Sequence, residues 1–198
     1  MFRLHSGLDG RQAGSVQFAI CNEIFQGWNL PDTFAYARKA GYDAVEIAPF
    51  TVCRNVTELT AAQRTGIRDE AARAGMVVSG LHWLLVQTEG FHLTHTDAAV
   101  RARTGAYFRE LVHCCADVGG RFMVLGSPKQ RSLLPGVSVE QAKDWALEVL
   151  KGCLQDAEDR GVTLCFEPLA PSETDFINTA REAVELVARA ASPSLKII

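Results

Sequence analysis

The sequence predicts an α/β protein built as a (β/α)8 TIM barrel, incomplete here with about six βα units. Three observations carry that prediction. Short apolar runs alternate with amphipathic helical stretches, with no return hairpins between them, which implies a parallel sheet with right-handed crossovers. Polar residues recur just after the apolar runs, where barrel enzymes place their chemistry. The chain has 198 residues, whereas a complete barrel typically needs about 250. An open doubly wound sheet fits the same alternation. No G-x-G-x-x-G follows the first run, which argues against a dinucleotide-binding version of it.

The elements come in order along the chain. Val16 to Cys21 reads as the first strand. Pro31 early and Gly41 late bracket the first helix. Asp43 to Ile47 is the second strand. Thr60 and Gln63 form a capping box, and Gly75 closes the helix it opens. Met76 to His82 is the third strand, and a long helix runs from about Asp97 to Asp117. Arg121 to Leu125 is the fourth strand. Ser138 and Gln141 suggest another capping box, before a helix with Ala142, Ala146, Val149, Leu150, Cys153 and Ala157 on one face. Val162 to Phe166 is the fifth strand. Thr179 and Glu182 cap the next helix, and Leu195 begins a sixth strand. Residues 1–14 read as a loose tail, and 15–198 as one partial barrel domain that lacks the last strands.

Composition narrows the function classes. Apolar residues make up 47% and charged residues 22%, ordinary for a soluble globular protein. Twenty basic against 23 acidic side chains leave a net charge of −3, so nothing in the charge balance points to nucleic acid. No apolar stretch approaches a membrane span, and the N-terminus has no apolar signal core. None of the six cysteines forms a C-x-x-C pair, which suits reduced thiols and a cytoplasmic location.

The candidate residues sit after the strands. Glu167 ends the run Val162-Thr163-Leu164-Cys165-Phe166, and a carboxylate there suits a divalent-metal ligand or a proton-abstracting base. Glu173 comes six residues later. Glu46 alternates with Val45 and Ile47 and so faces the barrel interior, either in a site or as a paired interior acid. His82 and Trp83 end strand three, the first to ligate a metal or polarise an oxygen, the second to wall a pocket. Lys129 and Arg131, on the loop after strand four, form a pair suited to a phosphate or carboxylate. Asn22 and Glu23 come after strand one. His92 and His95 read as surface or lid residues, because Gly90, Thr94 and Thr96 around them suggest a loop.

The stretches Phe166-Glu167-Pro168-Leu169 to Glu173-Thr174-Asp175-Phe176-Ile177-Asn178-Thr179 and Gly41-Tyr42-Asp43-Ala44-Val45-Glu46 resemble the xylose isomerase-like barrel superfamily. The branch is that of sugar-phosphate isomerases and epimerases, ketose 3-epimerase-like. Gly126-Ser127-Pro128-Lys129 with Arg131 is similar to a fourth-strand loop of one uncharacterised branch. The resemblance implies a metal-dependent isomerase or epimerase of a sugar, sugar phosphate or related polyol, working through an enediolate. It implies a divalent ion, manganese before magnesium, cobalt or zinc, held by a Glu, an Asp, a His and a second Glu. Glu167 matches the first ligand and acid/base, and Glu173 matches a substrate-contacting acid. The other three ligands would come from strand six onward. The same fold also hosts abasic-site endonucleases and dehydratases, and an incomplete barrel could act as an interaction module. Relatives often pair subunits, so a homo-oligomer is compatible with the resemblance.

Overall fold

A computed structural model describes residues 16–198. The tail expected at 1–14 lies outside the described residues. Six parallel strands form one sheet in sequence order: β1 (Ala19–Cys21), β2 (Ala44–Ile47), β3 (Val77–Leu81), β4 (Phe122–Leu125), β5 (Thr163–Phe166) and β6 (Leu195–Ile197). Five helices cover the connections: α1 (Leu30–Lys39), α2 (Ala61–Arg73), α3 (Ala98–Asp117), α4 (Val139–Arg160) and α5 (Ala180–Ala190). The fold is an α/β partial TIM barrel, since sequential parallel neighbours joined by crossover helices wind in one direction. An open doubly wound sheet would instead reverse its strand order.

The helix boundaries match their caps. Thr60 and Gln63 exchange both bonds of a capping box at the start of α2, as Thr179 and Glu182 do for α5. At α4 only half of the expected box forms: Ser138 accepts from the Gln141 amide, with no reciprocal bond from the Gln141 side chain. Asp97 caps α3 by accepting from the Ala99 amide. Gly161 ends α4 in the left-handed conformation, φ 65°, which costs glycine no Cβ clash.

Alternation sorts the strand residues. Val45, Ile47, Met123, Leu125, Leu164 and Phe166 join the helix-facing core with Phe34, Phe108, Leu111 and Leu150. Glu46, Val124 and Cys165, the residues between them, fall on the opposite face. Gly105 of α3 lies against the Val149 backbone of α4, where an added Cβ would sit 3.3 Å from the Val149 carbonyl oxygen, so the two helices cross closely.

Two features adjust the sheet near its C-terminal end. Val45 pairs with Val78 but Glu46 pairs with Gly80, a one-residue irregularity in β3 that re-aims the residues after it. Gly80 itself lies so close to β4 that an added Cβ would stand 1.8 Å from the Phe122 carbonyl oxygen. Only glycine lets the two backbones approach in this way.

Candidate active site at the strand ends

The residues at the C-terminal strand ends converge. Cys21 closes β1 and sits in register with Glu46 of β2. His82 comes directly after β3, and its amide donates to the Ile47 carbonyl at 3.0 Å, which extends the ladder by one residue. Glu167 extends β5 in the same way, its amide donating to the Leu125 carbonyl at 3.2 Å. These backbone bonds anchor the two side chains on rigid elements rather than on free loops.

Glu46, His82 and Glu167 form a row. His82 Nδ1 lies 3.1 Å from Glu46 Oε2, and His82 Nε2 lies 4.0 Å from Glu167 Oε2. The carboxylates are a quarter and a third exposed, so the row is reachable from solvent. Burial by itself pushes the His82 pKa down. The hydrogen bond and charge of Glu46 outweigh that, helped by Glu167 and Glu23, and the net shift is upward. Trp83 holds a left-handed backbone, φ 56°, and stacks its ring on His82 at 5.7 Å between centroids. The residue expected to wall a pocket thus packs its ring against the histidine.

Gly126, just past β4, makes room for Glu167. An added Cβ there would stand 2.7 Å from Glu167 Oε2. Among the described residues the Glu167 carboxylate has no closer polar partner than His82. A free carboxylate in a cleared space, with an imidazole opposite, fits a divalent cation, so Glu167 suits the ligand role that the resemblance implies.

The loop after β4 departs from expectation. Arg131 is fully buried, not a substrate contact on an open loop. Its Nη1 donates to the Glu167 carbonyl oxygen at 2.7 Å and to the Leu125 carbonyl oxygen at 3.4 Å. Its guanidinium lies 4.9 Å over the Phe166 ring. Burial lowers its pKa to about 10, opposed by the charges of Glu167 and Glu173. Apolar packing on Phe166 and two waiting carbonyls draw the side chain inward. Lys129 stays exposed on the short 3-10 turn Pro128–Gln130, so the two cations do not act as a pair. The loop is tied to its neighbour by the Leu85 amide, which donates to Ser127 Oγ at 3.1 Å.

Glu173 is exposed and turned onto its own loop, accepting from the Ala170 amide at 3.3 Å. No direct contact joins it to the Glu46–His82–Glu167 row among the described residues. His92 and His95 lie in the loop before α3; His92 Nδ1 accepts from the Thr94 amide and His95 Nδ1 from the Asp97 amide.

Sequence reasoning missed Cys21. Its ligand atom and those of Glu46 and His82 lie within 4.8 Å of one another. Burial pushes the Cys21 thiol up to about 12; a hydrogen bond from the Glu23 backbone opposes this, and the Glu23 and Glu46 side chains add to the shift. A strand-end cysteine looks like any small buried residue in sequence. The register of Cys21 against Glu46 is what reveals it.

A family model described as xylose isomerase-like TIM barrel matches residues 34–198. The chain is 26% identical over 162 residues to D-psicose 3-epimerase of Agrobacterium fabrum (strain C58 / ATCC 33970), covering 81% of this chain and 54% of that protein. It thus spans about half the length of this curated relative. A crystal structure of D-psicose 3-epimerase in the presence of D-fructose superposes with a TM-score of 0.76 at 22% identity, over 92% of this chain and 62% of that one. That of D-psicose 3-epimerase with D-tagatose from Clostridium cellulolyticum H10 gives 0.78 at 17% identity, with the same coverage of both chains. At such identities the structural likeness carries the fold alone. Among the described residues no helix is long and apolar enough to cross a membrane.

Proposed function

The chain belongs to the xylose isomerase-like TIM barrel family, and on that premise we propose that it serves a metal-dependent isomerase or epimerase of a sugar, sugar phosphate or related polyol. The observation that carries this reading is the free Glu167 carboxylate, seated in the space left by Gly126 and facing His82. The sequence relative is a D-psicose 3-epimerase, and the two crystal structures contain ketoses, which supports a ketose or its phosphate as substrate.

Glu167 takes the proton from the carbon next to the substrate carbonyl, and the same carboxylate would hold the divalent ion, manganese in the first instance. When bound, such an ion stabilises the negative charge that an enediolate places on adjacent oxygens. His82, held by Glu46 through Nδ1, presents Nε2 toward the same space. There it hydrogen-bonds a substrate oxygen. Trp83 keeps the imidazole in plane by stacking. Arg131 acts from below, by holding the Glu167 backbone. Glu173 and Lys129, both exposed, would contact the far end of a substrate.

The test is proton exchange. The protein is incubated with manganese and a panel of ketopentoses, ketohexoses and their phosphates in deuterated water. NMR should record deuterium entering at the carbon beside the carbonyl. Glu167→Gln should reduce that exchange by about a thousandfold, the scale of a lost general base. Undiminished exchange in this variant would refute the assignment.

A further inference from the structure

We propose that Cys21, Glu46 and His82 form a seat for a divalent cation of the zinc class, separate from the ion assigned to Glu167. Their ligand atoms all lie within 4.8 Å of one another. Donors around one zinc ion sit roughly 3.3–3.8 Å apart, given bond lengths of about 2.0–2.3 Å. Side-chain movements of about an ångström therefore close the set. The three residues come from the ends of three adjacent strands, β1, β2 and β3, and Cys21 is in direct register with Glu46. Donors on strand ends are held more firmly than donors on loops.

Charge supports a cation at this place. Glu46 and Glu167 flank His82 at 3.1 and 4.0 Å, and the charge of Glu23 also acts on it. Among the described residues no Lys or Arg lies within ion-pair distance of any of these three carboxylates. Glu46 and Glu167 instead face the His82 ring from its two nitrogens. Glu23 Oε2 is buried and accepts no hydrogen bond, an orphaned acceptor that a cation would satisfy. Glu23 also interacts with the Cys21 thiol, although its carboxylate lies outside the set of three whose ligand atoms are within 4.8 Å.

The donor types select the metal. A thiolate, an imidazole and a carboxylate suit zinc, whereas magnesium and manganese prefer oxygen donors. His82 would bind through Nδ1, the nitrogen that already faces Glu46 at 3.1 Å. Its Nε2–H would then point toward Glu167 Oε2, 4.0 Å away. A carboxylate behind the second ring nitrogen is the usual orienting partner of a metal-bound histidine. On binding, the Cys21 proton passes to solvent and the sulfur keeps its electron pair for the metal.

Cobalt(II), added to the full chain, is the probe. The expected result is a bound ion with a near-ultraviolet sulfur-to-cobalt charge-transfer band, which the ion assigned to Glu167 cannot give, and visible bands of a four-coordinate ion. Cys21→Ser should lose the near-ultraviolet band. Cys53→Ser, which changes the other partly exposed thiol, should keep it. Glu167→Gln should also keep it, which separates this seat from the ion of the proposed reaction. Where Cys21→Ser does not retain its native circular dichroism, His82→Asn decides instead, with at least a tenfold loss of cobalt affinity expected. No charge-transfer band in the parent chain overturns the proposal. So does a band that survives in folded Cys21→Ser, one that disappears in Glu167→Gln, or unchanged cobalt affinity in His82→Asn.

Discussion

The Arg131 guanidinium donates to the Glu167 backbone carbonyl at 2.7 Å from a fully buried position. It links the residue after β5 to the end of β4 through the Leu125 carbonyl. The orientation of Glu167 therefore depends on a side chain that never meets solvent. Nε and Nη2 of Arg131 are buried without hydrogen-bond partners, so the link carries a desolvation cost that the bonds to the carbonyls only partly offset.

Arg131→Met keeps apolar bulk over Phe166 and removes the donor. The Glu167 carbonyl is then left without its guanidinium partner. Urea denaturation should show a loss of about 1–3 kcal/mol, the range for a lost hydrogen bond to a charged group or an orphaned buried acceptor. Stability equal to that of the parent would mean that the desolvation cost cancels the bonds.

Gly126→Ala places a methyl group where Glu167 Oε2 now sits, at 2.7 Å. The carboxylate must swing aside. Deuterium exchange into substrate should fall about a hundredfold, the scale expected for an ångström of misplacement at a reacting group. The melting temperature should change little, because the methyl displaces a free carboxylate and not the core. Full exchange activity in Gly126→Ala would show that the position of Oε2 does not matter.

Gly80→Ala meets backbone instead. Its Cβ would stand 1.8 Å from the Phe122 carbonyl oxygen, and a strand cannot yield as a side chain can. The expected cost is about 3 kcal/mol, at the upper end of ordinary overpacking. Loss of the native circular dichroism would be the same effect in stronger form. A near-neutral result would mean that β3 and β4 are less tightly apposed.

Glu46→Gln should lower the His82 pKa, because it removes the leading contributions that raise it. An NMR titration of the metal-free protein reads this directly. The upward shift sets the sign for stability. Below the unfolded value of about 6.5 the protonated imidazole contributes its full stabilisation. That contribution fades as pH rises through the higher folded value. In Glu46→Gln the contribution should be smaller and should be gone at a lower pH, because only the folded value changes. An unchanged titration would place the source of the shift outside Glu46.

Much of the fold can be read along the chain because its signals are local. Strand alternation, the Thr60–Gln63 and Thr179–Glu182 boxes and the closing Gly161 all operate over a few residues. Glu167, Glu46 and His82 are legible for a related reason, since polar residues that interrupt or end apolar strands stand out. The burial of Arg131 is not legible. A basic loop residue reads as solvated until the Phe166 ring and two carbonyls, one of them 36 positions away, are brought to it. The same holds for Trp83, whose stacking on His82 requires a left-handed backbone that no tryptophan announces.

Element order, the parallel α/β class and the carboxylates at the strand ends are written in neighbouring residues, through hydrophobic period and capping, and so can be derived from the chain alone. Which of those residues meet is settled by packing in three dimensions. The irregular pairing of β2 with β3 and the close approach at Gly80 set where Glu46 and His82 face each other. The register of β1 against β2 brings Cys21 to them. Packing on Phe166 turns Arg131 from an apparent ligand contact into the support of Glu167. Such relations arise from contacts between distant segments, and those exist only once the chain has closed on itself.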